Sequence, residues 1–111
     1  MTASVGSAFD QSCPARHALA LVDGKWGALI LGALAERPRR NGELKRYIGG
    51  ISQKMLTEML RELERNGLVV REDRGTLPLR VDYSLSDLGR SLNDALTALD
   101  RWAEQNFLGP R

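Results

Sequence analysis

Cysteine and histidine are almost missing from the 111 residues, with Cys13 and His17 the only examples of each. A lone cysteine excludes an internal disulfide framework, and one cysteine with one histidine offers too few ligands for a structural zinc site. No apolar run approaches the roughly 20 residues that span a bilayer. No Lys or Arg precedes the first apolar stretch, as a secretory signal requires. A cytoplasmic location with no membrane partner is therefore expected. Apart from Cys13 and His17 there is no nucleophile and base pairing, no metal cluster and no phosphate-cradling glycine loop. The sequence accordingly predicts neither an enzyme nor a bound cofactor.

What is present suits one compact domain. A hydrophobic content of 42% over this length supports a single core. Residues 1–12, rich in Ser, Gly, Ala and Thr without a helical or strand period, are expected to form a flexible arm, and residues 13–111 the domain. The net charge of +2 hides an uneven distribution. From Arg37 to Arg80 eleven Lys or Arg face six Asp or Glu, a local +5, while the remaining five basic and eight acidic residues give −3. A basic middle between acidic ends fits a middle that meets phosphate and ends that serve another purpose, such as dimerisation; a solvated charged face is the alternative.

Periodicity and capping divide the chain into elements. Pro14 opens a short helix with Ala18, Leu19, Leu21 and Val22 on its buried side, and Asp23-Gly24 stops it. A second helix spans about Lys25 to Glu36, burying Trp26, Leu29, Ile30, Ala33 and Leu34. Arg37-Pro38 ends it, and Asn41 is positioned to cap a short helix from Gly42 to Tyr47. After the Gly49-Gly50 turn, Ser52 caps a longer helix closed by Asn66-Gly67. On its wheel Leu56, Met59, Leu60 and Leu63 form a core face, with Lys54, Thr57, Glu58, Arg61 and Arg65 roughly opposite. Two β-rich runs, 68–73 and 79–85, flank a turn-forming stretch with Gly75 and Pro78. Ser86 and Asp87 open the last helix, whose apolar stripe runs through Leu88, Leu92, Ala95, Leu96, Leu99, Trp102 and Ala103 to Phe107. No domain remains for that stripe to cover, so Leu88, Leu92, Leu96, Leu99 and Trp102 are expected to face a second copy in a homodimer.

This mainly α order, with one small β-hairpin and N- and C-terminal dimerisation helices, is the layout of a winged helix-turn-helix. In that arrangement the helix beginning after Ser52 enters the major groove of double-stranded DNA. Gln53, Lys54 and Thr57 then reach base edges, where Gln suits adenine, Lys guanine and Thr a thymine methyl. Backbone and wing contacts are expected from Arg39, Arg40, Lys45, Ser52, Arg61, Arg71, Arg74 and Arg80, with Arg74 the foremost wing cation. Pairing of the wing arginines with Glu72, Asp73 and Asp82 is the alternative for the hairpin, and Arg80 in particular could be structural. Trp26 is read as packing rather than as the wall of a ligand pocket, and no small-molecule inducer is assigned. A winged helix that binds only proteins, without specific DNA binding, is the competing function; its affinity would lack the steep salt dependence of phosphate contacts.

Three segments resemble one family. The Cys13-Pro14 opening with Gly24-Lys25-Trp26, the Gly50-to-Thr57 entry into the capped helix, and the Val81-to-Leu85 strand running into a helix with Gly89 are similar to the HxlR regulators, relatives of the MarR group. The likeness covers nearly the whole chain after Ser12. It implies a homodimeric winged helix that binds a palindromic operator, often in response to oxidants or electrophiles. In several members a cysteine near the start of the first helix is the sensor, which singles out Cys13 as a redox-sensing candidate. A helix N-terminus with Arg16 and His17 close by favours thiolate, while a small buried thiol is the other reading. Without a second cysteine, oxidation would have to form an intersubunit disulfide, a mixed disulfide or an adduct. The chain departs from the family at Arg40-Asn41, where an aromatic commonly follows the basic pair.

Overall fold

The computed structural model describes Pro14, Ala20 and residues 26–108. The arm expected over 1–12 lies outside the described residues, as do Cys13, His17 and, apart from the helical Pro14 and Ala20, the expected first helix.

Helix α1, Trp26–Glu36, is apolar nearly all round, so its pattern alone does not choose a buried side. Gly27, Ile30, Leu31, Ala33 and Leu34 are buried. Leu29, expected inside, is 46% exposed, and Leu31 takes its place in the core. Arg37 precedes a proline, whose ring disfavours the helical conformation one residue upstream, and the chain leaves α1 extended. It stays extended long enough for Arg39 to pair with Tyr83: the Arg39 N–H donates to the Tyr83 carbonyl at 3.0 Å, and the Tyr83 N–H returns the bond at 2.9 Å. No local pattern in the sequence signals this one-rung addition to the hairpin.

Helix α2, Asn41–Ile48, begins one residue earlier than expected, because Arg40 and not Asn41 is the cap. Arg40 is extended there, and its backbone N–H donates to Glu43 Oε1 at 2.8 Å, which satisfies a donor at the start of the helix. Helix α3, Gln53–Arg65, starts as expected: Ser52 Oγ accepts the Met55 N–H at 3.0 Å. It ends in a Schellman arrangement, with the Gly67 N–H on the Glu64 carbonyl and the Leu68 N–H on the Leu63 carbonyl. The left-handed residue is Gly67, at φ +78°, while Asn66 keeps an ordinary φ of −91°.

Strands β1, Val69–Asp73, and β2, Val81–Leu85, pair antiparallel from Val69 opposite Leu85 to Asp73 opposite Val81. One further bond, from the Arg74 N–H to the Arg80 carbonyl, closes the base of the loop. Leu77 at the tip is 99% exposed. Helix α4, Asp87–Ala103, is capped by Ser86, whose hydroxyl oxygen accepts the Gly89 N–H at 3.0 Å. Gly89 allows α4 to rest directly on the backbone that leads from α3 into β1: a Cβ at this position would lie 2.0 Å from the Leu68 carbonyl oxygen. One wider turn, Glu104–Leu108, follows, with the Phe107 and Trp102 rings edge to face at 5.3 Å.

The core gathers Ile30, Leu31 and Leu34 of α1, Leu44 of α2, Ile51, Leu56, Leu60 and Leu63 at and along α3, and Leu68, Val69 and Leu85 around the hairpin. Full burial of each such side chain contributes about 1.5–3 kcal/mol. Trp26, Leu92 and Leu96 are partly buried against it. The α4 stripe therefore divides, contrary to the expectation that no domain was left for it to cover. Leu92 and Leu96 pack on the core of their own chain, whereas Leu88, Leu99 and Trp102 are each more than half exposed. Among the described residues no helix is long and apolar enough to cross a membrane.

Candidate nucleic-acid interface

The outer face of α3 is built from its first two turns. Ser52 spends its side chain on the Met55 N–H. Gln53 and Lys54 are exposed and Thr57 is half-buried. Gln53 Nε2 donates both to Asn41 Oδ1 at 2.8 Å and to Thr57 Oγ1 at 3.1 Å, which links the starts of α2 and α3. Asn41 thus uses its side chain to hold Gln53 and not to cap α2. Lys54 and Arg61, both exposed, form no ion pair with another described residue. Arg65, farther along, pairs with Glu62.

The basic stretch leading into α2 separates into held and presented charges. Arg39, expected to meet phosphate, is only 6% exposed. Its Nε donates to the Ala33 carbonyl at 2.9 Å, one terminal nitrogen reaches Glu36 at 2.8 Å, and the guanidinium lies 4.1 Å above the Tyr47 ring. The reason is geometric: in the extended segment after Pro38, alternate side chains point to opposite faces, and the Tyr83 pairing turns Arg39 inward. Arg39 is therefore a structural arginine. The Tyr47 hydroxyl donates to Glu36 at 2.6 Å, and that bond raises the Tyr47 pKa above its usual value. Arg40, Lys45 and Arg46 are exposed. The Glu43 carboxyl is held below the ordinary carboxylate range, chiefly by the Arg40 backbone N–H and also by the charges of Arg37, Arg40 and Arg46.

On the hairpin, Asp82 is the organising group. It is 8% exposed and accepts from Arg74 Nε at 2.8 Å and from Arg80 Nε at 3.4 Å. Arg74 also lies 3.5 Å from Glu72. The Arg74 bond, followed by the charge and bond of Arg80, lowers the Asp82 pKa, and the same contact raises that of Arg74. Both arginines remain about half exposed, so the wing cations are tethered at its base and not projected from its tip. Arg71 is exposed on β1. Asp82 is thus the partner that the alternative reading of the wing arginines named. Nothing in the sequence signals Glu36, or Asn41 as the acceptor for Gln53, because their partners lie 3 to 12 residues away and become neighbours only once the elements are packed.

The fold thus brings Gln53, Lys54, Thr57 and Arg61 together on one helix face, Arg40 and Lys45 onto the neighbouring helix, and Arg71, Arg74 and Arg80 onto the hairpin. Comparison with known proteins fits this arrangement. Residues 21–109 match the model of the HxlR-like helix-turn-helix family. The chain is 42% identical over 102 residues to the HTH-type transcriptional regulator YtfH of Escherichia coli K12, covering 92% of this chain and 81% of YtfH. A transcriptional regulator of the MarR family from Enterococcus faecalis V583 superposes with a TM-score of 0.79 at 43% identity, covering 86% of this chain and 87% of that one. The transcriptional regulator YodB of Bacillus subtilis in its reduced form gives 0.78 at 36% identity, covering 86% and 94%; its diamide-treated form has also been solved. These relatives are regulators, not enzymes, and the winged helix architecture is theirs too. The chain belongs to the HxlR-like helix-turn-helix family and is a transcriptional regulator.

Proposed function

We propose that this regulator binds a palindromic operator in double-stranded DNA as a homodimer, acting in the cytoplasm. The carrying observation is the start of α3, where exposed Gln53 and Lys54 stand beside Thr57, with Arg61 a turn beyond and no acid paired to either cation among the described residues. Gln53, Lys54 and Thr57 address base edges; Arg40, Lys45, Arg61 and Arg71 address the backbone, joined by Arg74 and Arg80 within their tie to Asp82. The N–H groups beside Ser52 add an anion site at the helix start. The exposed apolar residues Leu88, Leu99 and Trp102 of α4 support pairing with a second copy, Leu92 and Leu96 lying behind them. Two α3 helices held in this way read half-sites about one duplex turn, roughly 34–36 Å, apart.

Footprinting on the DNA upstream of its own gene tests the reading, combined with sedimentation of the wild type and of Leu99→Arg. A symmetric footprint and a dimer that dissociates in the variant are expected. A wild type that is monomeric, or whose affinity is indifferent to salt, would reject it in favour of a protein-binding role. Oxidant response through Cys13 belongs to the same proposal, supported by a neighbour solved in reduced and diamide-treated forms. If Cys13 is the sensor, Cys13→Ser abolishes any effect of diamide on operator affinity.

A further inference from the structure

We infer that Asn41 decides which half of the Gln53 amide faces DNA, so that Gln53 reads a base through an accepting oxygen alone. The inference rests on the DNA-reading role proposed above and adds to it the identity of the base feature recognised.

A primary amide has two N–H donors on its nitrogen and one accepting oxygen. Gln53 Nε2 has two acceptors within reach, Asn41 Oδ1 at 2.8 Å and Thr57 Oγ1 at 3.1 Å, so both donors are engaged inside the protein. Oε1 makes no hydrogen bond with another described residue, and the side chain is exposed. The familiar pairing of glutamine with adenine needs one donor for N7 while the oxygen accepts from N6. Here that pairing would require breaking an existing bond. An oxygen on its own needs only a base that donates. Cytosine presents N4 to the major groove as a donor and asks nothing in return, whereas adenine would be left with an unpaired N7. Gln53 is therefore assigned to cytosine, with adenine second. Asn41, on α2, acts as a positioning residue whose acceptor sets this polarity from outside the helix that reads. Thr57 contributes in the same sense, because its oxygen accepts from Gln53 and its own hydroxyl hydrogen is thereby directed elsewhere.

Site selection from a randomised duplex, with Gln53→Ala beside the wild type, locates the base pair on which Gln53 acts. There the wild type should favour cytosine over adenine by about fivefold, the low end of discrimination for a specific base contact. Asn41→Asp keeps an acceptor in place and should keep the preference. Asn41→Ala frees one amide hydrogen and should shift the preference toward adenine by a similar factor, a gain that 7-deazaadenine, lacking N7, should remove. If Asn41→Ala fails to fold, Asn41→Leu removes the same acceptor while keeping the side chain's bulk and carries the same expectation. A wild type that selects adenine and loses affinity on 7-deazaadenine overturns the inference while leaving DNA reading intact, as does an unchanged profile in Asn41→Ala. A wild type that selects no sequence overturns both.

Discussion

The start of α3 and the base of the hairpin are both basic, yet they hold their charge differently. On α3, Lys54 and Arg61 point outward without an acid paired to either among the described residues. On the hairpin, Asp82 ties down Arg74 and Arg80, and beside α2 the still more constrained Arg39 is locked between Ala33, Glu36 and Tyr47. A count of cations treats these regions alike. The packing separates charges that steady the fold from charges offered to a partner, and only the second kind is expected to set affinity.

Substitutions on each side of that divide should part company. The largest effect is expected for Arg39→Met, which removes the bonds to Ala33 and Glu36 from a buried position. A loss of about 2–4 kcal/mol of stability in denaturant unfolding is expected, because a buried hydrogen bond to a charged group contributes about 1.5–3 kcal/mol and the vacated acceptors stay partly desolvated. A melting temperature unchanged in this variant would place Arg39 with the presented cations. Lys54→Ala should do the reverse, leaving stability within about 0.5 kcal/mol and reducing discrimination at one base pair by about 1–3 kcal/mol. Competition titrations against mutated operators measure this. The smallest effect lies in the pH profile. Because the Asp82 pKa is lowered in the folded chain, its stabilising contribution is complete above the ordinary carboxylate pKa of 3.8 and fades as pH falls through the lower folded value. Thermal melts of Asp82→Asn should show a flatter decline in that acid range than the wild type. At neutral pH the same variant, by releasing Arg74 and Arg80, should steepen the salt dependence of DNA binding; an unchanged slope would mean that the tether does not restrain them.

Local chemistry made much of this legible in advance. Ser52 and Ser86 cap the helices they precede, the Asn66-Gly67 stop falls where expected, and the Leu56, Leu60, Leu63 face is the buried one, because each depends on neighbours within a turn or two. Less could be read where the deciding partner is distant. The apolar run of α1 offered no polar face by which to rank Leu29 against Leu31. Arg39 looked like its neighbours Arg37 and Arg40 until Tyr83, far along the chain, paired with its backbone. Asn41 has the chemistry of a cap, and it lost that position when the extended segment after Pro38 delivered Arg40 there instead. The α4 stripe pointed to a partner surface, and half of its leucines are taken by α1 and the core.

The pairing of Arg39 with Tyr83 has a mechanical corollary. With the approach to α2 stitched to β2 of the hairpin, opening or closing the turn motif against the wing would have to break the two Arg39–Tyr83 bonds, which joins them at that point into one mechanical part. A duplex seated on such a part must supply the adjustment itself, by bending or by changing the width of its grooves, and steps that deform cheaply gain an advantage even where no side chain touches a base.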